Sequence, residues 1–424
     1  MLARILATDG LSFPSGLEEE PFCRYRTLLH SYQRALSGGI TDAGFVALVE
    51  RLDRAVGAVG GHGFKVTPFA RNDQLSESLG FEREGGVWVK DETGNVAGSH
   101  KGRHLMGVLL HLEVAEHLGL AAPGHRPDLA VASCGNAALA AAVVAAAGGR
   151  HLAVFVPLDA DPGIVEQLRS LGAHVVACPR SAGAAGDPTQ ARLQAQLAAG
   201  ALPFTCQGSE NGLSIEGGET IGYEIVSDLV SNGGPQLDHV VVQVGGGALA
   251  SSCVQAFAEA VRLGALARAP KTHTVQTLAA HPLERAYQAV EHLMRDKHTG
   301  LPNALAFAAG HRSDFMWPWE EEPKSIAKGI LDDETYDWLA VVAGMLGSGG
   351  RPVVVSEERL VQAHQLGKAA GFKADATGTA GLAGLLELRA AGEVSPDQHV
   401  AVLFTGTERP RPAGATPIAF GLAP

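Results

Sequence analysis

Apolar and polar positions along most of this chain fall into two long alternating series of strand-like and helix-like segments. From Asp128 to Thr205, LAVAS reads as a short strand and NAALAAAVVAAAGG as an Ala-rich helix closing at Gly148. LAVFVP is the next strand, PGIVEQLRSLG a helix with proline in its first turn, and AHVVACP a third strand. Pro188 to Ala199 reads as helix and PFT as strand. The second series begins with a helix around Thr220 to Leu229 and continues through HVVVQV, a helix after Gly247, HTVQT and PVVVS. It ends with an Ala/Gly-rich helix from Thr377 to Leu388 and the strand HVAVLFT. Apolar strands separated by helices of this length predict parallel sheets with right-handed crossovers.

Ahead of these series, residues 1–60 read as mostly helical, with helical spacing from Glu19 to Gly38 and from Thr41 to Val59. Thr41 or Asp42 is the expected N-cap of the second stretch. GVWVKDE then reads as a strand with Val87 and Val89 on one face and Trp88 and Lys90 on the other. The segment from His281 to Pro323 reads as an irregular lid, interface or surface excursion, and the tail after Arg409 as low complexity. The expected fold is α/β, with two open parallel-sheet lobes and helices on both faces. The larger lobe takes residues 1–103 and 211–424, and the smaller, mobile lobe 104–210.

Composition narrows the partners. A formal net charge of −12 argues against nucleic acid or an anionic membrane as partner. No run of about 18 apolar residues is available to span a bilayer. MLARILATDGLSFPSGLEEEP meets Asp9, Pro14 and three glutamates too early for a signal peptide. Cys23, Cys134, Cys178, Cys206 and Cys253 include no CxxC pair, so free thiols in the cytoplasm are expected. A Walker loop, HExxH and every zinc-type Cys/His spacing are absent, so no metal is expected.

Three glycine-containing turns follow apolar strands and open helices, the position where open parallel sheets bind ligands. Ser133-Cys134-Gly135-Asn136-Ala137 leaves backbone N–H groups exposed at a helix N-terminus, suited to a carboxylate or phosphate. Gly245-Gly246-Gly247-Ala248-Leu249 would let the backbone wrap a phosphate. Alone, either is more simply a tight βα connection. Gly245, Gly247 and Ala250 also satisfy GxGxxG/A, but the acidic residue a dinucleotide site wants about 20 positions on is missing from ALARAPKTH. In Gly98-Ser99-His100-Lys101-Gly102-Arg103 the lysine is either part of a basic surface patch or a Schiff-base nucleophile. In the second case neighbouring cations and burial would lower its pKa.

Together and in this order, the turns resemble the fold type II enzymes of pyridoxal 5′-phosphate (PLP), the tryptophan synthase β-subunit superfamily, over roughly Phe64 to Pro410. The resemblance implies PLP as cofactor, with Lys101 as the catalytic Schiff-base lysine after His100. It implies the carboxylate turn at Ser133 to Ala137, with Asn136 near the cofactor's phenolic oxygen, and the phosphate loop at Gly245 to Leu249. Thr405, ending VAVLFTGTE, would meet the pyridine nitrogen. SIEGGETIGYEI and DATGTAGLAGL are also similar to the family. A neutral hydroxyl at the ring nitrogen leaves it largely unprotonated, which fits elimination or replacement at Cβ or Cγ better than transamination.

Within the family, Val131 and Ala132 stand where the tryptophan synthase β subunit has its catalytic glutamate, so indole chemistry is not expected. The helical N-terminus and the Thr-Gly after the last strand are closer to threonine synthase, with Arg103 and Lys90 as candidate ligands of a substrate phosphate. The implied activity is a threonine synthase-like lyase on a small L-amino acid, in a cytoplasmic homodimer. A serine, threonine or diaminopropionate ammonia-lyase, a β-replacement synthase of the cysteine synthase type, and a PLP-binding regulatory protein stay open.

Overall fold

A computed structural model describes residues 10–121, 126–179, 187–231 and 233–409. The apolar start MLARILATD and the tail beyond Arg409 lie outside the described residues. The chain divides into two compact units. Among the described residues, one comprises 10–17, 66–94 and 218–408, the other 18–65, 95–217 and 409.

The first unit is built on six strands: β1 (Phe69–Arg71), β2 (Gly86–Asp91), then β7 (His239–Gln243), β8 (Lys271–Thr277), β9 (Pro352–Val355) and β10 (His399–Phe404). Their order is β1-β2-β10-β7-β8-β9, parallel except for β1, which pairs antiparallel with β2 at the edge. Both faces of the sheet are covered. In β7, Val240 and Val242 enter one apolar cluster and Val241 the other. In β10, Ala401 and Leu403 point one way, and Val400, Val402 and Phe404 the other. That period of two over strands buried on both faces is what makes them read as continuous apolar runs.

The second unit holds β3 (Leu129–Ala132), β4 (Leu152–Pro157), β5 (His174–Cys178) and β6 (Leu202–Pro203), all parallel in the order β5-β4-β3-β6. Helix Pro162–Ser170 is capped by the Asp161 carboxylate and carries Pro162 in its first turn. The α/β fold with helix-flanked parallel sheets is therefore present.

The second unit also takes the N-terminal helices and the lysine turn. Helix Asp42–Gly60 buries Phe45, Val49, Leu52 and Val56 and lies against helix Asn136–Ala147. Expectations for several single elements are corrected. Glu19 to Gly38 is not one helix. It breaks into Pro21–Arg24, a 3₁₀ turn at Arg26–Leu28 and His30–Ser37, with Leu29 extended between the last two. Thr41, rather than Asp42, is the N-cap, its hydroxyl accepting from Gly44 N. The segment from His281 contains two helices, Pro282–Asp296 and Leu301–Gly310, so only the part after Gly310 lacks an α-helix. Strand β6 is two residues long, and the short β1 has no counterpart in the apolar pattern.

Candidate active site

In the second unit, the segment before Lys101 is a tight 3₁₀ turn, Val96–Gly98, capped by Asn95, whose carboxamide accepts from Val96 N at 2.7 Å. Ala97 (φ 54°) and Gly98 (φ 67°) are both left-handed, which turns the chain sharply enough to present the next residues at a helix start. Ser99 is extended and fully buried, and its hydroxyl has no hydrogen-bond partner among the described residues. His100 is almost buried and meets His104 edge-to-face at 5.5 Å; the Nδ1–H of His104 donates to Ser214 O at 2.8 Å. Lys101 then opens helix Lys101–His117. Its side chain is half-buried, and its ammonium makes no hydrogen bond or ion pair among the described residues. An amine held at a helix start without an internal partner is available to chemistry.

The second turn belongs to the same unit. β3 ends at Ala132, Ser133 N–H still donates to Phe155 O at 3.2 Å, and Ser133 Oγ accepts from Gly135 N at 3.4 Å. Asn136 begins helix Asn136–Ala147, which no side chain caps. Cys134 is exposed, and none of the five cysteines is in a disulfide. The Asn136 carboxamide oxygen accepts from Arg409 Nη2 at 2.8 Å, a partner the sequence pattern did not reveal.

In the first unit, β7 ends at Gln243 and Gly245-Gly246-Gly247 lead into helix Ala248–Arg262. Among the described residues, no acceptor is bonded to the N–H groups of Gly245 to Leu249. The row is open to an anion at a helix N-terminus. The glycines are required because the segment 329–337 packs against them. A Cβ on Gly245 would meet the Asp332 carboxylate, one on Gly246 would lie 2.9 Å from Tyr336 Cδ2, and Gly247 has φ 97°. The Asp337 N–H donates to Gly246 O at 2.9 Å and fixes the loop from outside.

Thr405 follows β10 and is buried. Its Oγ1 accepts from Gln243 Nε2 at 2.7 Å, and the same amide nitrogen reaches Gly378 O at 2.9 Å and Leu403 O at 3.1 Å. Gln243 carries no motif, but a buried amide in a mostly apolar strand needs a partner, and that is the signal by which the sequence marks it. Lys90 and Arg103, expected as ligands of a substrate phosphate, are fully buried. Lys90 Nζ is taken by Glu224 and by Thr67 O, at 2.5 and 2.7 Å, and Arg103 donates to Lys65 O at 3.3 Å. Lys90 is thus committed to a buried ion pair.

Comparison with known proteins agrees with this geometry. The model of the pyridoxal-phosphate dependent enzyme family matches residues 62–406. Threonine synthase of Methanosarcina acetivorans is 25% identical over 342 residues, covering 80% of this chain and 74% of that protein. The threonine synthase of Methanocaldococcus jannaschii matches to the same extent, 25% over 342 residues, with 80% and 74% covered. Among solved structures, diaminopropionate ammonia lyase from Escherichia coli superposes with a TM-score of 0.61 at 16% identity, covering 94% of this chain and 93% of its own. The chain belongs to the pyridoxal-phosphate dependent enzyme family, and its fold is that of the fold type II members.

The residues present fit PLP. In the first unit, a glycine row whose N–H groups have no partner among the described residues suits its phosphate. In the second, the buried Ser99 hydroxyl beside Lys101 has polar capacity that no described residue fills.

Proposed function

We propose that this enzyme is a lyase of the threonine synthase branch, acting on a small L-amino acid with a leaving group at Cβ or Cγ. The observation that carries this reading is the match to threonine synthases over 342 residues, supported by a neutral hydroxyl, Thr405, at the position expected for the ring nitrogen. Bound PLP would supply an electron sink for the pair left at Cα. Lys101 would hold the cofactor through its Nζ and later take the Cα proton on the same atom. The backbone N–H groups from Ser133 to Ala137 would bind the substrate carboxylate at the start of helix Asn136–Ala147. Gly245 to Leu249 would hold the cofactor phosphate. Thr405, itself accepting from Gln243, would face the pyridine nitrogen as a neutral partner.

Two measurements test the reading. Borohydride reduction of the holoenzyme followed by peptide mass spectrometry should place the pyridoxyl group on Lys101; label on another lysine overturns the assignment. O-phosphohomoserine should then release phosphate with threonine as product. A 2-oxo acid and ammonia from serine, threonine or diaminopropionate would replace the synthase by an ammonia-lyase. Turnover of O-acetylserine with a thiol would make it a β-replacement synthase. The reading also expects a cytoplasmic homodimer, which sedimentation of the purified protein measures.

A further inference from the structure

Arg409 lies four residues beyond Thr405, past the end of the family match at residue 406. Its guanidinium Nη2 donates to two acceptors, Ala97 O at 2.6 Å and Asn136 Oδ1 at 2.8 Å. All three residues belong to the second unit. One acceptor lies in the turn four residues before Lys101, and the other opens the helix after the carboxylate turn. Ala97 is a non-glycine residue in the left-handed region, at φ 54°, a conformation that persists only where its surroundings hold it. A guanidinium only donates, so the oxygen of the Asn136 carboxamide must face it and the amide cannot flip. The Asn136 Nδ2 has no partner among the described residues. The end of Asn136 left for a ligand is therefore its donor end, which selects an oxygen acceptor.

We propose that Arg409 is a positioning residue that locks the Asn136 carboxamide with Nδ2 presented to the phenolic oxygen of PLP and pins the strained peptide at Ala97 ahead of Lys101. This rests on the reading of Asn136 as a cofactor-facing residue. Charge-assisted hydrogen bonds are the stronger kind, so loss of both should weaken PLP binding by about tenfold or more.

The test titrates apoprotein with PLP and records the visible band of each holoprotein against pH, for wild type, Arg409→Ala, Arg409→Lys, Asn136→Ala and the double alanine variant. Arg409→Ala is expected to bind PLP about tenfold more weakly and to shift the band or its pH midpoint. Arg409→Lys, which keeps the charge but not the planar fork, should recover part of both. If Arg409 acts through Asn136, the double variant should be little weaker than the weaker single one. Wild-type affinity and spectrum in Arg409→Ala, or fully additive losses in the double variant, would overturn the positioning role while leaving the reading of Asn136 intact. An Asn136→Ala protein that binds PLP normally would instead overturn that reading itself, and the inference with it.

Discussion

Lys90 Nζ lies 2.5 Å from Glu224 Oε2, and both side chains are wholly out of water. The ammonium also donates to Thr67 O, while Thr67 N donates to the same carboxylate oxygen at 3.0 Å. The pair joins strand β2 to the part of helix Leu213–Ser231 that belongs to the first unit, from Gly218 on. Removing one partner leaves the other charge buried and uncompensated, a far larger penalty than the net worth of the pair. Lys90→Met should lower the stability to urea by about 3–5 kcal/mol, whereas Lys90→Met with Glu224→Leu should recover most of it. A Lys90→Met protein as stable as wild type would show that the pair is not buried.

Gln243 tests the proposal that Thr405 faces the ring nitrogen. Its amide nitrogen serves two backbone carbonyls and the Thr405 hydroxyl. Gln243→Glu keeps the shape but sets a carboxylate oxygen against two carbonyls, an acceptor facing acceptors. A loss of roughly 2–3 kcal/mol is expected from the unsatisfied groups. A displaced Thr405 should also shift the absorption of bound PLP. Gln243→Leu should cost less than Gln243→Glu, because it buries no charge. The order of the two thermal midpoints checks this.

Glycine is needed at 246 for space. Gly246→Ala would place a methyl 2.9 Å from the Tyr336 ring, so either the ring or the loop must move. Overpacking of this kind costs about 1–3 kcal/mol. Because the movement falls in the row of N–H groups, the PLP dissociation constant should rise more than the thermal midpoint falls.

A stacked pair of histidines, His239 and His273, spans β7 and β8, with His239 Nδ1 and His273 Nε2 3.0 Å apart. Arg351 N–H donates to His273 Nδ1 at 3.3 Å, so that nitrogen is an acceptor and Nε2 carries the proton toward His239. Burial, with lesser pushes from His239 and Arg351, lowers the His273 pKa from 6.5 to about 4. Between those values the unfolded chain binds the proton and the folded protein does not. Stability therefore falls as pH drops from 6.5 to about 4 and changes no further below that on this account. His273→Asn should flatten this part of the profile, read as thermal midpoint against pH; an unchanged slope would assign the acid sensitivity elsewhere.

What could be read in the amino-acid sequence depends on distance along the chain. The Ser133 to Ala137 turn and Gly245 to Leu249 stand out because each is a local demand of the backbone, whereas Lys101 and Thr405 are singled out only by the resemblance to the family. A chain leaving a buried strand for a helix needs small residues where N–H groups must stay open, and that need is written in consecutive positions. The doubly covered strands are legible for the same reason, since burial on both faces leaves mostly apolar side chains, as in HVVVQV and HVAVLFT.

Tertiary structure decided which distant groups meet. Leu29 breaks the first helical stretch although its spacing is helical, and β1 has too few residues to show a period. Lys90 is not available to a phosphate because Glu224, 134 positions away, pairs with it. Gln243 and Thr405 are separated by 162 positions, and Arg409 reaches Asn136 across 273. Hydrogen bonds of such span leave no periodic trace in a sequence, because only the folded backbone brings donor and acceptor within reach.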